Sequence, residues 1–130
     1  MLELINFTDL TDEQILMILR WRNDERVAKY MKNKSVSEQE HRKFIANLKN
    51  DETKRYFLVK EDSDYIGVID FVDIEADSCE FGIYANPQLK GKGKVLMQTI
   101  VEYAAKTLKV GELKTPPCAE KIVNLGLKRC

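Results

Sequence analysis

The chain has 130 residues, of which 44% are hydrophobic and 32% are charged, a composition that excludes a disordered or fibrous protein. The length suits one domain. Lysine and arginine number 21, and aspartate and glutamate also number 21, so the chain has no net charge with which to hold nucleic acid through its phosphates.

The first half of the chain predicts one strand and three helices. Alternating apolar side chains predict a short strand over residues 2–7. Thr11-Asp12-Glu13-Gln14 is a capping-box sequence and predicts a helix over residues 11–23, and a shorter helix is expected over residues 25–32. Ser37-Glu38-Gln39-Glu40 repeats the capping box and predicts a helix that ends near residue 50.

The second half predicts strands followed by a long helix. Residues 56–60 and 65–72 are rich in β-forming side chains, and the turn-like stretch 61–64 between them predicts an antiparallel hairpin. Residues 78–85 form a third such run. An amphipathic helix is expected from Val95 to Leu108, and residues 112–114 start one more strand before two prolines. This order predicts an α/β fold with a mixed, mainly antiparallel sheet flanked by helices.

A glycine-containing loop lies between the third run and the long helix. It reads Gln88-Leu89-Lys90-Gly91-Lys92-Gly93-Lys94, and its three lysines stand in a stretch without acidic residues. Glycines that turn backbone amides inward, next to the N-terminus of a helix, form a nest for an anion such as phosphate. The alternative is a glycine turn that merely connects two elements.

This segment resembles a known signature. The pattern Gln88-x-x-Gly91-x-Gly93, preceded by the strand 79–84 and by Asn86-Pro87, is similar to the acyl-CoA motif of the GNAT superfamily of N-acetyltransferases. The resemblance implies that acetyl-CoA is the co-substrate. It also implies which residues bind it: the loop residues Gln88, Leu89, Lys90, Gly91, Lys92, Gly93 and Lys94 at the pyrophosphate, and the strand residues Ile83, Tyr84 and Ala85 along the pantetheine.

The resemblance extends to one branch of that superfamily. Trp21-Arg22-Asn23, the helix start at 37–41 and the hairpin at 56–72 are similar to the branch that acetylates a UDP-linked amino sugar in pseudaminic acid biosynthesis, which modifies flagellin. This implies a small-molecule nucleotide-sugar acceptor. Two alternatives stay open: an acetyltransferase for protein N-termini, as for ribosomal proteins, and a catalytically silent CoA-binding module.

Four side chains are candidates for the acceptor site. Glu80 shares a face of its strand with Tyr84, and the resemblance implies that it accepts a proton from the amine; the alternative is a solvated or ion-paired carboxylate. Tyr84 would line the acceptor pocket or fill the core. His41 would contact the sugar nucleotide or act as a base, unless it is a hydrogen-bonded core histidine. Arg22 would recognise phosphate or carboxylate, unless it pairs with a nearby acid.

The resemblance covers residues 1–114, and residues 115–130 are an atypical tail. No tyrosine there matches the one that usually protonates the departing CoA thiolate, and no strand that splays open to admit pantetheine is expected. Residues 122–127 predict a short helix. We expect a C-terminus that is shortened or altered relative to an active parent, and a sheet edge left exposed so that the protein forms a homodimer.

No membrane segment and no metal site are expected. The longest strongly apolar stretch, residues 15–19, is far shorter than the roughly 18 residues that span a bilayer, and the N-terminus lacks the features of a signal peptide. Three cysteines without Cys-x-x-Cys spacing, together with a single histidine, fit a reducing cytoplasm and argue against zinc. Direct transfer between acetyl-CoA and an amine also gives the cysteines no role.

Overall fold

The structure, a computed structural model, describes residues 1–29, 31, 35–114 and 122–124. Within these residues the chain forms six strands and four α-helices. The strands are β1 (Leu2–Asn6), β2 (Arg55–Glu61), β3 (Asp64–Val72), β4 (Ser78–Ala85), β5 (Glu112–Lys114) and β6 (Ile122–Asn124). The helices are α1 (Asp12–Asn23), α2 (Glu25–Ala28), α3 (Glu38–Asn47) and α4 (Gly93–Tyr103), the last extended by a π-helical turn over Ala104–Leu108.

All six strands belong to one sheet, in the order in which they occur along the chain. The neighbouring pairs are antiparallel except for β4 and β5, which run parallel. A parallel pair needs a crossover connection, and α4 supplies it. The mixed, mainly antiparallel sheet flanked by helices is therefore confirmed.

Helices pack against both faces of the sheet. Alternate strand residues point to opposite sides, and one side packs against α4 through residues such as Phe71, Leu96 and Ile100, none of which is exposed. The other side packs against α1 and α3 through residues such as Ile18 and Val68. The candidate site described below lies at the end of this second layer.

Both capping boxes begin helices as predicted. In the first, the Gln14 N–H donates to Thr11 Oγ1 at 3.2 Å and the Thr11 N–H donates to Gln14 Oε1 at 2.9 Å. In the second, Ser37 and Glu40 make the reciprocal pair at 3.1 and 3.3 Å. Each box satisfies two amides that a helix N-terminus would otherwise leave without partners.

Several predicted boundaries are wrong by a few residues. The shorter helix ends at Ala28 rather than at residue 32, which lies outside the described residues. The β2–β3 hairpin turns within two residues, because Asp62 adopts a left-handed φ of 54° that closes the turn tightly. The third helix becomes a 3₁₀ turn over Leu48–Asn50.

The end of the chain differs most from expectation. The predicted helix over residues 122–127 is wrong at its start, because Ile122–Asn124 is a strand that pairs with β5. The outer edge of β5 offers unpaired main-chain groups, and pairing satisfies them. The rest of the predicted tail, residues 115–121 and 125–130, lies outside the described residues. Homodimerisation through an exposed edge stays a prediction.

Candidate active site

A short loop joins β4 to α4 and is held against β3 by Asn86. Its N–H donates to the Ile66 carbonyl at 2.9 Å, and its side-chain Nδ2 donates to the Tyr65 carbonyl at the same distance. Its Oδ1 accepts the Gln88 N–H at 2.9 Å. The start of the loop is thus fixed by three hydrogen bonds to one asparagine.

The loop leaves room for a ligand above its glycines. Gly91 has a left-handed φ of 76°, and a Cβ built on Gly91 or Gly93 would meet nothing within 4 Å. The N-cap residue of α4 is Lys92, whose side chain makes no hydrogen bond to the first turn, so no capping side chain covers the amides there. These features fit the predicted anion nest.

The three lysines of the loop are not equivalent. Lys92 Nζ donates to Glu61 Oε1 at 2.9 Å, and this hydrogen bond and ion pair raise the pKa of Lys92. Lys90 and Lys94 are exposed, and neither pairs with an acid within the described residues. The interpretation of three unopposed lysines is therefore wrong for Lys92, because the hairpin brings an acid that is distant in the sequence to its side chain.

The strand β4 has an open edge beyond Glu80. Its partner β5 pairs only with Ser78–Glu80, and the described residues place no strand beside Phe81–Ala85 on that side. Residues 115–121, which follow β5, lie outside the described residues, so the expectation that no strand splays away from β4 stays a prediction.

Main-chain amides point from β4 into this opening. The Asn86 N–H bonds to the Ile66 carbonyl on the β3 side, and hydrogen-bonding direction alternates along a strand. Tyr84 therefore also bonds toward β3, whereas the N–H and C=O groups of Ile83 and Ala85 face the open side. An extended ligand can add there as an extra strand.

Two cavities meet at this end of the sheet. The first is a largely apolar groove of about 460 Å³ that runs from the glycine loop along β4 to α2. The second, of about 430 Å³, lies between the sheet and the helices α1 and α3. Tyr84 and Met31 line both cavities. The groove and the second cavity, which we call the acceptor pocket, are therefore adjacent and share these two residues in their walls.

The acceptor pocket carries the charged and polar groups of the site. It is lined by side chains from β2, β3, β4, α1 and α3, together with Phe7 of a 3₁₀ turn after β1 and the residues Met31 and Val36. The polar members are Arg22, Glu40, His41, Tyr56, Asp70 and Tyr84. Three of the four predicted acceptor-site residues, Arg22, His41 and Tyr84, are brought together here.

Asp70 lies on the sheet between two strands. It pairs across the sheet with Tyr56 on one side and Gly82 on the other. A Cβ on Gly82 would come within 2.5 Å of Asp70 Oδ2, so the glycine leaves the space that the carboxyl occupies. Burial, and secondarily the charge of Glu80, raise the pKa of Asp70 to about 7.

The two tyrosines keep their protons. Burial raises the pKa of Tyr56 and of Tyr84 far above the ordinary value, and the charge of Asp70 raises both further. The positive charge of Arg22 acts in the opposite direction on each. Both hydroxyl groups therefore serve as hydrogen-bonding groups rather than as bases.

His41 is buried and held by a hydrogen bond. Its Nε2 lies 3.0 Å from the Ile15 carbonyl oxygen, which only accepts, so Nε2 carries the proton. Burial lowers the pKa of His41 the most, and the charges of Arg42 and Arg22 lower it further. The imidazole is thus neutral at pH 7, and its contact with Ile15 is what the core-histidine alternative requires.

Glu80 is not part of the acceptor pocket. It lines a separate cavity of about 290 Å³ with Asp73 and Lys114. Burial and the neighbouring Asp73 raise the pKa of Glu80. Glu80 and Tyr84 thus line different cavities although they share a face of β4, because four residues along a strand separate two Cα atoms by roughly 13 Å. The role of Glu80 as a proton acceptor stays a prediction.

The cysteine described by the structure has no place in the site. Cys79 is 1% exposed in the core, and burial raises the pKa of its thiol to about 11, so it is not a nucleophile. Cys118 and Cys130 lie outside the described residues.

Sequence patterns missed two important residues. Asp70 stands in a β-rich run, where an isolated carboxylate suggests the solvent-facing side of a strand. Asn86 precedes Pro87, and nothing local in that pair indicates the hydrogen bonds that Asn86 makes to β3. Gly82, in the middle of a strand, was the available signal for Asp70, since an interior glycine often marks the close approach of another group.

Comparison with known proteins identifies relatives. The family model for the acetyltransferase (GNAT) domain matches residues 2–119. The acetyltransferase PseH of Campylobacter jejuni strain 81-176 is 48% identical over 114 residues, which cover 88% of this chain and 73% of the relative. PseH of C. jejuni strain NCTC 11168 is 50% identical over the same shares of both chains.

Solved structures give the same result. The crystal structure of C. jejuni N-acetyltransferase PseH in complex with acetyl coenzyme A matches with a TM-score of 0.74 and 43% identity, covering 88% of this chain and 75% of that one. The spermidine N-acetyltransferase of Vibrio cholerae in complex with CoA and spermine has a TM-score of 0.76 at 22% identity, covering 88% and 69%, which is a likeness of fold alone. Among the described residues, no helix has the length and hydrophobicity needed to cross a membrane.

Proposed function

Since this chain belongs to the GNAT acetyltransferase family, we propose that it transfers an acetyl group from acetyl-CoA to the amine of a nucleotide-linked amino sugar. The family membership makes the chain an N-acetyltransferase. The co-substrate site, the acceptor and the residues that hold them are what we propose here. The observation that carries the proposal is that the groove and the acceptor pocket lie side by side, with Tyr84 in the wall of both.

The groove has the features that acetyl-CoA requires. The open space above Gly91 and Gly93 and the positive charges of Lys90 and Lys94 suit a diphosphate. The apolar groove beside the open edge of β4 suits the pantetheine arm, whose amides pair with main-chain groups of Ile83 and Ala85. A relative that is 43% identical binds acetyl coenzyme A.

The acceptor pocket suits a polar, anionic substrate that carries an amine. Arg22 provides a planar cation for a phosphate or for sugar oxygens, and the Tyr56 and Tyr84 hydroxyls provide neutral hydrogen-bonding groups. The sequence resemblance to the branch that acetylates a UDP-linked amino sugar favours this acceptor over others. The high identity to PseH favours the same branch.

The chain's own residues contribute binding and electrostatic stabilisation. Acetyl-CoA, when bound, supplies an activated acetyl group to the amine. The loop amides hold its diphosphate, and a main-chain N–H on the open edge of β4 stabilises the negative charge that develops on the acetyl oxygen. In well-studied enzymes, one such donor lowers the free energy of activation by roughly 3 kcal/mol. The walls of the groove keep the thioester pointed at Tyr84.

Calorimetry with acetyl-CoA tests the co-substrate site. The wild-type chain should bind, and Gly91→Glu should weaken binding at least tenfold because it places bulk and negative charge where the diphosphate lies. Gln98→Glu, which adds the same charge at an exposed position on α4, should bind like the wild type. Equal affinity of all three proteins would mean that the glycine loop does not hold the diphosphate.

A thiol-release assay tests the acceptor. The wild type should release CoA thiol in the presence of a UDP-linked 4-amino sugar, and not with the same sugar already acetylated at that amine. Release only with peptides that bear a free N-terminus would instead favour the protein acetyltransferase alternative. Binding of acetyl-CoA without release for either acceptor would favour the silent CoA-binding module.

A further inference from the structure

We propose that the Asp70 carboxylate accepts the proton that the acceptor ammonium must lose before its nitrogen can attack the acetyl group. The inference rests on the proposed function, since it concerns the same acceptor pocket. It assigns to β3 a role that sequence reasoning gave to Glu80 on β4. It also gives a purpose to a largely buried carboxyl that has no hydrogen bond to any other described residue.

The position of Asp70 is the first argument. Asp70 and Tyr84 both line the acceptor pocket, and Tyr84 also lines the groove where the thioester would lie. Gly82, opposite Asp70 in the sheet, makes room for the carboxyl by lacking a side chain. An amine placed between the groove and the sheet therefore has Asp70 beside it.

The surroundings of Asp70 are the second argument. Tyr56, its partner on β2, and Tyr84 on β4 line the same pocket with neutral hydroxyls, and Glu80 lies two residues along β4 from Gly82. From the helices, Arg22 on α1 and the α3 residues Glu40 and His41 face the same pocket. A cationic ammonium neutralises the buried carboxylate, which has no hydrogen bond to another described residue.

The basicity of Asp70 fits the task. Burial raises its pKa to about 7, whereas an ordinary aspartate is too weak a base at neutral pH to take a proton from an ammonium. His41 is a poorer choice because its Nε2 proton is committed to the Ile15 carbonyl and its pKa is lowered. Glu80 opens into a different cavity.

All protons in the reaction are accounted for without a further reactant. The ammonium gives one proton to the Asp70 carboxylate, and the freed nitrogen lone pair forms the new bond to the acetyl carbon as the carbon–sulfur bond breaks. The amide nitrogen loses its second proton to water, and the departing CoA thiolate takes a proton from water. Asp70 then returns its proton to solvent, so the turnover releases one proton in total.

The test compares Asp70→Asn with Asp9→Asn, which makes the same change at an exposed site outside both cavities. Carboxyl-labelled NMR of the free protein should show one aspartate that titrates near pH 7 and is absent from Asp70→Asn. With a UDP-linked 4-amino sugar, kcat/KM of the wild type should rise with pH through the same range. Asp70→Asn should lower kcat/KM by 100-fold or more and remove that dependence, while acetyl-CoA affinity by calorimetry stays unchanged.

The outcomes separate the two proposals. If wild-type protein releases no thiol with this acceptor at any pH, the proposed function falls, and the inference falls with it. If the wild type turns over but Asp70→Asn keeps its rate and pH profile, only the role of Asp70 is overturned. An aspartate signal that titrates near pH 4 at this position would overturn it as well, whatever the kinetics.

Discussion

The buried carboxyl of Asp70 should make the protein less stable as the pH rises. An aspartate has an ordinary pKa of 3.8, and burial raises that of Asp70 to about 7. Below pH 3.8 the folded and unfolded states both hold the proton, so the group has no effect. Between these values only the folded state retains it, so stability falls with pH until it levels off above pH 7.

The size of the effect follows from the same two values. The difference of about three pH units corresponds to roughly 4 kcal/mol at about 1.4 kcal/mol per unit. Because Asp70 is partly exposed, solvent screening reduces this to about 2–4 kcal/mol. Asp70→Asn, which cannot ionise, should match the wild type near pH 4 and exceed its stability by this amount at pH 8.

Urea unfolding between pH 4 and pH 8 measures the difference. His41 changes the free energy of unfolding with pH in the opposite direction. Because its pKa is lowered in the folded state, the folded protein gains stability as the pH rises toward 6.5. This change is common to both proteins and cancels in the comparison. Asp9→Asn should follow the wild type throughout. Parallel stability curves for wild type and Asp70→Asn would show that the carboxyl is solvated and would refute the reasoning.

Three further substitutions test other parts of the structure. Gly91→Ala should lower the free energy of unfolding by about 1–2 kcal/mol, measured by thermal melts, because a φ of 76° strains a residue that has a Cβ. Gly82→Ala should cost about 1–3 kcal/mol in urea unfolding and reduce turnover, because its Cβ would lie 2.5 Å from Asp70 Oδ2. Lys92→Ala should cost less than about 1 kcal/mol, and the loss should shrink in high salt, because its ion pair with Glu61 is partly exposed.

Each of these three substitutions has a control variant or a result that would contradict the stated cause. Gly93→Ala places a Cβ in equally open space without a left-handed φ, so it should not destabilise the chain. An equal loss at both glycines would mean that backbone strain is not the cause at Gly91. Unaltered turnover and stability in Gly82→Ala would mean that the Asp70 carboxyl does not need the space. A loss above 2 kcal/mol in Lys92→Ala would mean that the ion pair is effectively buried.

Much of the fold could be predicted because its signals are local. The capping boxes at Thr11 and Ser37 involve residues three apart, and both begin helices in the structure. The hairpin and the glycine loop are likewise encoded within a few residues. The three-residue strand β5 was also predicted, at Glu112–Lys114. The prediction failed at Ile122–Asn124, which is a strand paired with β5 and not the start of a helix, because the pairing depends on an edge that the fold supplies.

The sequence by itself determined the α/β architecture, the glycine loop for which we propose phosphate binding, and the membership of an acetyltransferase family. Tertiary structure alone decided that, of Asp70 and Glu80, Asp70 lines the acceptor pocket. Asp70 and Glu80 both stand in β-rich runs of the sequence. In the fold, Asp70 shares a pocket with Tyr56 and Tyr84 and lies opposite Gly82, whereas Glu80 lies near Asp73. A side chain's pKa depends on neighbours that the fold brings from distant positions, whereas a helix cap depends on neighbours that the chain already supplies.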